Sequence, residues 1–221
     1  MNKRVPCSRS SRISRLLGRL AGKKKAVVAV TGSFGSGKST VVRMLRFPGA
    51  KVIDADRLAH RILAPGNAAF ERVVRVFGNR VLVPSGRIDR KKLAAVVFAD
   101  LKALKRLNAI THPEILRLIR EEIKKASRKI VLLEAPLLFE AGLAREMDAV
   151  IVVKASRSTV IRRLTRQRSL TSAQIYRRLA SQLPLSYKVR RADFVIDNNG
   201  QAGKTYRQVQ RIRRLLWKNW I

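Results

Sequence analysis

One stretch limits the fold more than any other. Gly32-Ser33-Phe34-Gly35-Ser36-Gly37-Lys38-Ser39-Thr40 follows the β-branched run Ala26-Val27-Val28-Ala29-Val30-Thr31 and leads into Val41-Val42-Arg43-Met44-Leu45. The G-x-x-x-x-G-K-S spacing between a strand and a helix is that of a phosphate-binding loop. Its glycines let the backbone curl until successive N–H groups face phosphate oxygens, and the following helix adds its positive end. Lys38 is placed to reach the β- and γ-phosphates and Ser39 to ligate Mg²⁺, with Gly32, Gly35, Ser36, Gly37 and Thr40 lining the cradle. The plainer alternative is a Gly/Ser turn with no ligand, but the strand before the loop and the helical pattern after it are the context the motif requires.

From Ala26 onward, short β-branched runs alternate with longer helical stretches. That alternation predicts an α/β fold, a parallel five-stranded sheet flanked by helices. The expected strands are 26–31, 51–53, 130–133, 149–153 and 194–196. Between the second and third, about residues 57–128 carry helical periodicity and no strong strand, so a helical insertion is expected there. Within it, 81–87 reads as a turn, and Thr111-His112-Pro113-Glu114 has the spacing of a capping box opening a helix. Ser156 and Thr171 are expected to cap two helices joined by an arginine-rich corner, a lid region of about residues 156–182.

Residues 1–25 hold nine Lys or Arg and no acid. Ile13, Leu16, Leu17 and Leu20 recur at helical spacing, predicting a short basic amphipathic helix. This N-terminal arm is expected to be a solvated appendage, with an organellar transit peptide as the alternative to a cytoplasmic protein. The tail, about residues 204–220, predicts a second basic helix ending in Trp217 and Trp220.

The net charge is +35, from 49 Lys and Arg against 14 Asp and Glu. Such a surface attracts polyanions of any kind. Because the cations run through the whole chain, with no interleaved aromatic stripe, no dedicated nucleic-acid partner is expected. Cys7 is the only cysteine, which excludes an internal disulfide framework. No apolar run reaches the roughly 18 residues of a membrane span. Either a monomer or a small homo-oligomer fits this composition.

The loop says that a nucleotide binds; other residues must say what receives the phosphate. Asp54 and Asp56 end the second strand, and in parallel sheets the carboxyl ends of strands face the ligand crevice. Asp56 is the candidate general base for an acceptor hydroxyl, with a helix N-cap as its alternative; Asp54 is a candidate acceptor contact or a salt-bridge partner. Glu134 closes the third strand where a carboxylate can meet Mg²⁺ through water. Arg162, Arg163, Arg166 and Arg168 can neutralise charge on a transferred phosphoryl group. His112 suits positioning or substrate binding better than proton transfer.

In order along the chain, these motifs resemble those of the dephospho-CoA kinase family. The resemblance rests on Gly32–Thr40; Val52-Ile53-Asp54-Ala55-Asp56; Gly86-Arg87-Ile88-Asp89-Arg90; His112-Pro113; Pro136-Leu137-Leu138-Phe139-Glu140; Arg163-Leu164 with Gln167-Arg168; Gln182-Leu183-Pro184; and Ala192-Asp193-Phe194-Val195-Ile196-Asp197-Asn198. It implies a P-loop NTPase fold with a helical substrate-binding insertion and a lid. It also implies ATP with Mg²⁺, and phosphorylation of the ribose 3′-hydroxyl of dephospho-CoA as the last step of coenzyme A biosynthesis. By the same resemblance Asp56, Lys38 and Arg168 are the catalytic set and Arg163 a nucleotide contact. Asp54, Arg90, His112, Pro136, Leu137 and Glu140 then belong to the acceptor side. His60, Glu134 and Val160 depart from the family's usual residues. A nucleoside or nucleoside-monophosphate kinase of the same architecture is the first alternative, and a nucleic-acid-binding protein switched by ATP the second.

Overall fold

The computed structural model describes residues 9–168 and 170–217. Five strands, β1 (Ala26–Gly32), β2 (Ala50–Asp54), β3 (Ile130–Glu134), β4 (Ala149–Lys154) and β5 (Phe194–Asp197), form one sheet in the order β2-β3-β1-β4-β5, and every pairing is parallel. Each strand falls within a residue or so of its expected span. The strands are short and β-branched because both sheet faces are covered, so no polar alternation is needed.

The helices are α1 (Arg9–Ala21), α2 (Lys38–Leu45), α3 (Ala55–Ile62), α4 (Ala68–Phe77), α5 (Arg90–Ala99), α6 (Leu101–Lys125), α7 (Arg157–Arg168), α8 (Ser172–Ala180), α9 (Leu185–Arg191) and α10 (Ala202–Trp217). One sheet face presents Val28, Val30, Leu132 and Ile151 to α1, α2 and α10; the other presents Val27, Ala29, Val131 and Val152 to α3, α6 and α9. The period of two along β1 thus divides the core into two layers. The insertion keeps a separate apolar cluster around Val73, Phe77, Val81, Leu93 and Val97. The lid has its own around Val160, Leu164 and Ile175, against which Phe34 packs.

Three details differ from expectation. The N-terminal helix is docked, not solvated: Leu16 and Leu20 are buried among Val28, Leu216 and Trp217. Lys23 pairs with Asp148, and Lys25 donates to the Ile123 carbonyl at 2.9 Å. The two buried leucines contribute about 1.5–3 kcal/mol each to holding the helix there. Second, Thr111 opens no helix. Its hydroxyl donates back to the Leu107 carbonyl at 2.9 Å inside the continuous α6, and Pro113 sits within that helix. The capping pattern is overridden by the apolar positions on both sides of it, Ile110, Ile115 and Leu116, which keep one helix packed along the core. Third, the N-cap at the end of β2 is Asp54, which accepts from Arg57 N–H at 3.1 Å, so Asp56 lies in the first turn of α3. The caps expected further on do form: Thr159 N–H donates to Ser156 Oγ at 3.2 Å, and Thr171 with Gln174 makes a reciprocal capping box. Trp220 lies outside the described residues.

Candidate active site

Strand order reverses around β1: β3 lies on one side of it and β4 on the other. A crevice opens at the carboxyl ends of the strands at such a reversal. The phosphate loop fills that position. Gly37 has φ +90°, and a Cβ there would come 2.2 Å from Asn198 Nδ2; at Gly32 a Cβ would come 2.3 Å from the Val153 carbonyl oxygen. Only glycine fits either place. Asn198, just beyond β5, clamps the loop by donating to the Ser36 carbonyl at 2.8 Å, while its own Oδ1 accepts from Thr205 at 2.9 Å.

Lys38 is buried, and its ammonium donates to the carbonyls of Gly32 (3.3 Å) and Ser33 (3.0 Å), so it lies folded along the loop's inner wall. Burial pushes its pKa down to about 8, opposed by the charges of Asp56, Glu134 and Glu140. Ser36 Oγ is buried with no hydrogen-bond partner, an orphan donor in the cradle. Ser39 is exposed at the start of α2 and donates to Glu134 Oε1 at 2.6 Å. Thr40 lies one residue further and receives a weak contact from Arg43 at 3.4 Å.

The register of the strands aligns the acids. Asp54 is paired with Glu134, and Glu134 with Val30, two residues before the loop begins. Burial raises the pKa of Asp56, with Lys38 the main opposing influence; burial likewise raises that of Glu134, against its bond from Ser39. Asp56 also feels His60 and Arg90, so the start of α5 in the insertion faces the end of β2. His60 is in turn pushed down, by burial first and then by Arg90.

Further round the crevice, the loop after β3 carries Pro136, Leu137 and Glu140. Glu140 Oε1 pairs with Lys188 Nζ at 2.7 Å and accepts from Leu183 N–H at 2.9 Å, while Oε2 is buried without a partner. Leu137 is half-buried beside Leu138, which belongs to the core. His112, half-buried on α6, has its pKa lowered by burial, with Glu140 opposing. On the lid, Arg163 donates to the Asn198 carbonyl at 2.8 Å and its guanidinium lies beside Gly37, while Arg162 and Arg166 are exposed. Arg168 ends α7; its side chain lies outside the described residues.

The sequence motifs give no site role to three residues that the fold brings in: Asn198 and Gln182, which appear only as members of resembling motifs and of which Gln182 Oε1 accepts from Phe34 N–H at 2.9 Å, and Lys188, fully buried and in none of them. The signal available for all three was a polar residue inside, or just beyond, an otherwise apolar segment late in the chain.

A glycine-cut loop at the sheet's reversal point, with a buried lysine facing an acid of raised pKa and Phe34 packed against the α7–α8 cluster, makes this a P-loop kinase, and such kinases draw their phosphoryl group from ATP. A family model for dephospho-CoA kinase matches residues 26–204, and the chain belongs to that family. It is similar to the dephospho-CoA kinase of Carboxydothermus hydrogenoformans, 39% identical over 198 residues, which are 88% of this chain and 96% of that one. Among solved structures, a Thermus thermophilus protein superposes with a TM-score of 0.73 at 35% identity, covering 86% of this chain and 96% of that one. The dephospho-CoA kinase of Campylobacter jejuni gives 0.63 at 30% identity, covering 88% and 99%.

Proposed function

We infer that the chain transfers the γ-phosphoryl group of ATP to the ribose 3′-hydroxyl of dephospho-CoA, releasing coenzyme A and ADP in the last step of coenzyme A biosynthesis. Family membership over residues 26–204 supports the reaction. The observation that carries the chemistry is Asp56, open to solvent on α3 yet desolvated enough for its pKa to be raised, within electrostatic reach of the phosphate-loop lysine.

In this reading Asp56 accepts the proton of the acceptor hydroxyl as its oxygen bonds to the γ-phosphorus and the bond to the bridging oxygen of ADP breaks. Lys38 exchanges its two carbonyl contacts for phosphate oxygens, and Ser36 and the loop amides hold the β-phosphate. Arg163 and Arg168 bring positive charge from the lid, which also excludes water that would hydrolyse ATP. Ser39 and Glu134, 2.6 Å apart, suit a Mg²⁺ site in which the serine binds directly and the glutamate through water. Among the described residues no cluster of three or more His, Cys, Asp or Glu could hold a metal. That donor set matches an ion held largely by substrate phosphates and water. When bound, Mg²⁺ would supply positive charge to offset that of the phosphates.

Arg90, His112 and the Pro136–Glu140 loop form the acceptor side. Asp54 belongs there through its effect on Asp56: as N-cap of α3 it fixes the turn that carries the base. We place the enzyme in the cytoplasm; among the described residues no helix is long and apolar enough to cross a membrane. The test is ADP release, measured by a coupled assay, with dephospho-CoA, nucleosides and nucleoside monophosphates as acceptors. Turnover with dephospho-CoA alone is expected; turnover only with a nucleoside monophosphate would overturn the assignment.

A further inference from the structure

The segment between α8 and α9 touches both halves of the transfer site and has no role in the chemistry above. On the donor side, Phe34 N–H in the phosphate loop donates to Gln182 Oε1 at 2.9 Å. The very next amide, Leu183 N–H, donates to Glu140 Oε1 on the acceptor side at 2.9 Å. Lys188, on α9, holds that same oxygen at 2.7 Å and the Pro136 carbonyl at 3.2 Å. Thr31, at the end of β1, also reaches the Pro136 carbonyl, at 3.4 Å.

Lys188 has no exposed surface, and Glu140 little. Taking both charges out of water costs several kcal/mol per ion, and an apolar pair of similar volume often serves stability as well or better. What the ion pair supplies, and an apolar pair does not, is direction. It fixes where the Pro136–Glu140 loop sits relative to a segment that also grips the phosphate loop. Glu140 Oε2 is buried and unpartnered.

We propose that residues 182–188 are a strap coupling the two substrate sites. Seating of a nucleotide in the phosphate loop passes through Gln182 and Leu183 to the Pro136–Glu140 loop, and Lys188 is the positioning residue that holds the acceptor end. The proposal rests on the reading of that loop as the acceptor side, but its first test needs nucleotide alone. Lys188 is bonded to the acceptor loop and its charge also bears on Lys38, whereas Gln182 is bonded to the donor loop, so Gln182→Met is the substitution that should act on a site it does not contact.

The experiment is hydrogen–deuterium exchange of the full chain with and without a non-hydrolysable ATP analogue. In the wild type the analogue should slow exchange in residues 135–143 as well as in the phosphate loop. In Gln182→Met the phosphate-loop protection should persist while that over 135–143 is lost. Equal protection of 135–143 in both proteins at matched occupancy, or none in the wild type, refutes the strap. Should Lys188→Met fold poorly, Gln182→Met at its half-buried position still decides the matter.

With dephospho-CoA, Lys188→Met should raise the acceptor KM by about 5–150-fold, the usual range of coupling between sites, with a smaller change in kcat. The Lys188→Met/Gln182→Met double variant should be no worse than the poorer single one; additive losses would mean two independent structural defects. A wild type inert toward dephospho-CoA would overturn the proposed function and leave the exchange result to judge the strap.

Discussion

Because burial lowers the pKa of Lys38 to about 8, the enzyme's capture of ATP should fail on mild alkalinisation. The ammonium is the form that attracts phosphate, and in the free enzyme it carries its charge only below that value. A group titrating at about 8 goes from roughly nine-tenths charged at pH 7 to one-tenth at pH 9, so kcat/KM for ATP should fall about tenfold across that window. An ordinary lysine, near 10.4, would remain charged throughout. A phosphate's last ionisation lies near 6, below the window, so substrate titration does not produce the effect.

Once ATP is bound, its charge returns the lysine to the ammonium form, so kcat at saturating ATP should stay level to higher pH than kcat/KM. The assay is steady-state ADP release at fixed saturating dephospho-CoA, with ATP varied at each pH. The stability consequence has a definite sign. Lys38 binds fewer protons folded than unfolded between about pH 8 and its unfolded value, so its contribution to folding becomes more favourable as pH rises there. A loss of activity caused by unfolding would therefore run against this group's own linkage. A kcat/KM profile for ATP that is flat to pH 9.5, or an equal fall in kcat, refutes the assignment of the alkaline limb to Lys38.

Asp56→Asn should cut kcat by about 10²–10⁴-fold with ATP affinity little changed; by removing a charge that supports the Lys38 ammonium it should also move the alkaline limb to lower pH. Near-normal kcat in that variant would remove Asp56 from the chemistry. Asn198→Ala leaves the Ser36 carbonyl and the Thr205 hydroxyl without partners, about 1–3 kcal/mol of loosening, and should raise the KM for ATP about tenfold or more while kcat changes less. Unchanged ATP kinetics would show that the loop holds its shape alone. Leu16→Ala should cost about 2–5 kcal/mol, read as a Tm fall of roughly 2–4 °C for each kcal/mol in a chain of this size. A melting temperature equal to that of the wild type would mean that α1 contributes no stability.

The sheet was legible because its determinants are local. Val27-Val28-Ala29-Val30 and Ile130-Val131-Leu132-Leu133 are short apolar runs bounded by polar turns, and the glycine spacing of the phosphate loop admits one backbone path. Asp56 and Lys38 could be read for the same reason, since each closes or follows a recognisable strand. At Thr111 a local signal misled: the four residues of a cap pattern are outvoted by the apolar positions of a 25-residue helix. For α1 the amphipathic stripe was visible, but its receptor is built from Val28 and from Leu216 and Trp217, almost two hundred residues later. A stripe alone cannot announce which surface covers it.

Lys188 and Gln182 show the limit of local reading most clearly. In sequence, Lys188 is one cation among 49, and its meaning comes from Glu140 and Pro136, about fifty residues earlier. Gln182 stands in a resembling motif, but it has no contact to explain it until Phe34 is placed beside it, 148 residues away in the chain. Both pairings exist because β1 lies between β3 and β4, which brings the loop after β1, the loop after β3 and the segment entering α9 to one end of the sheet. The same strand order that puts donor and acceptor in one crevice therefore puts a single short segment within reach of both. A motif such as Gln182-Leu183-Pro184 can contain coupling residues without naming their partners, because a motif is contiguous and a coupling contact is not.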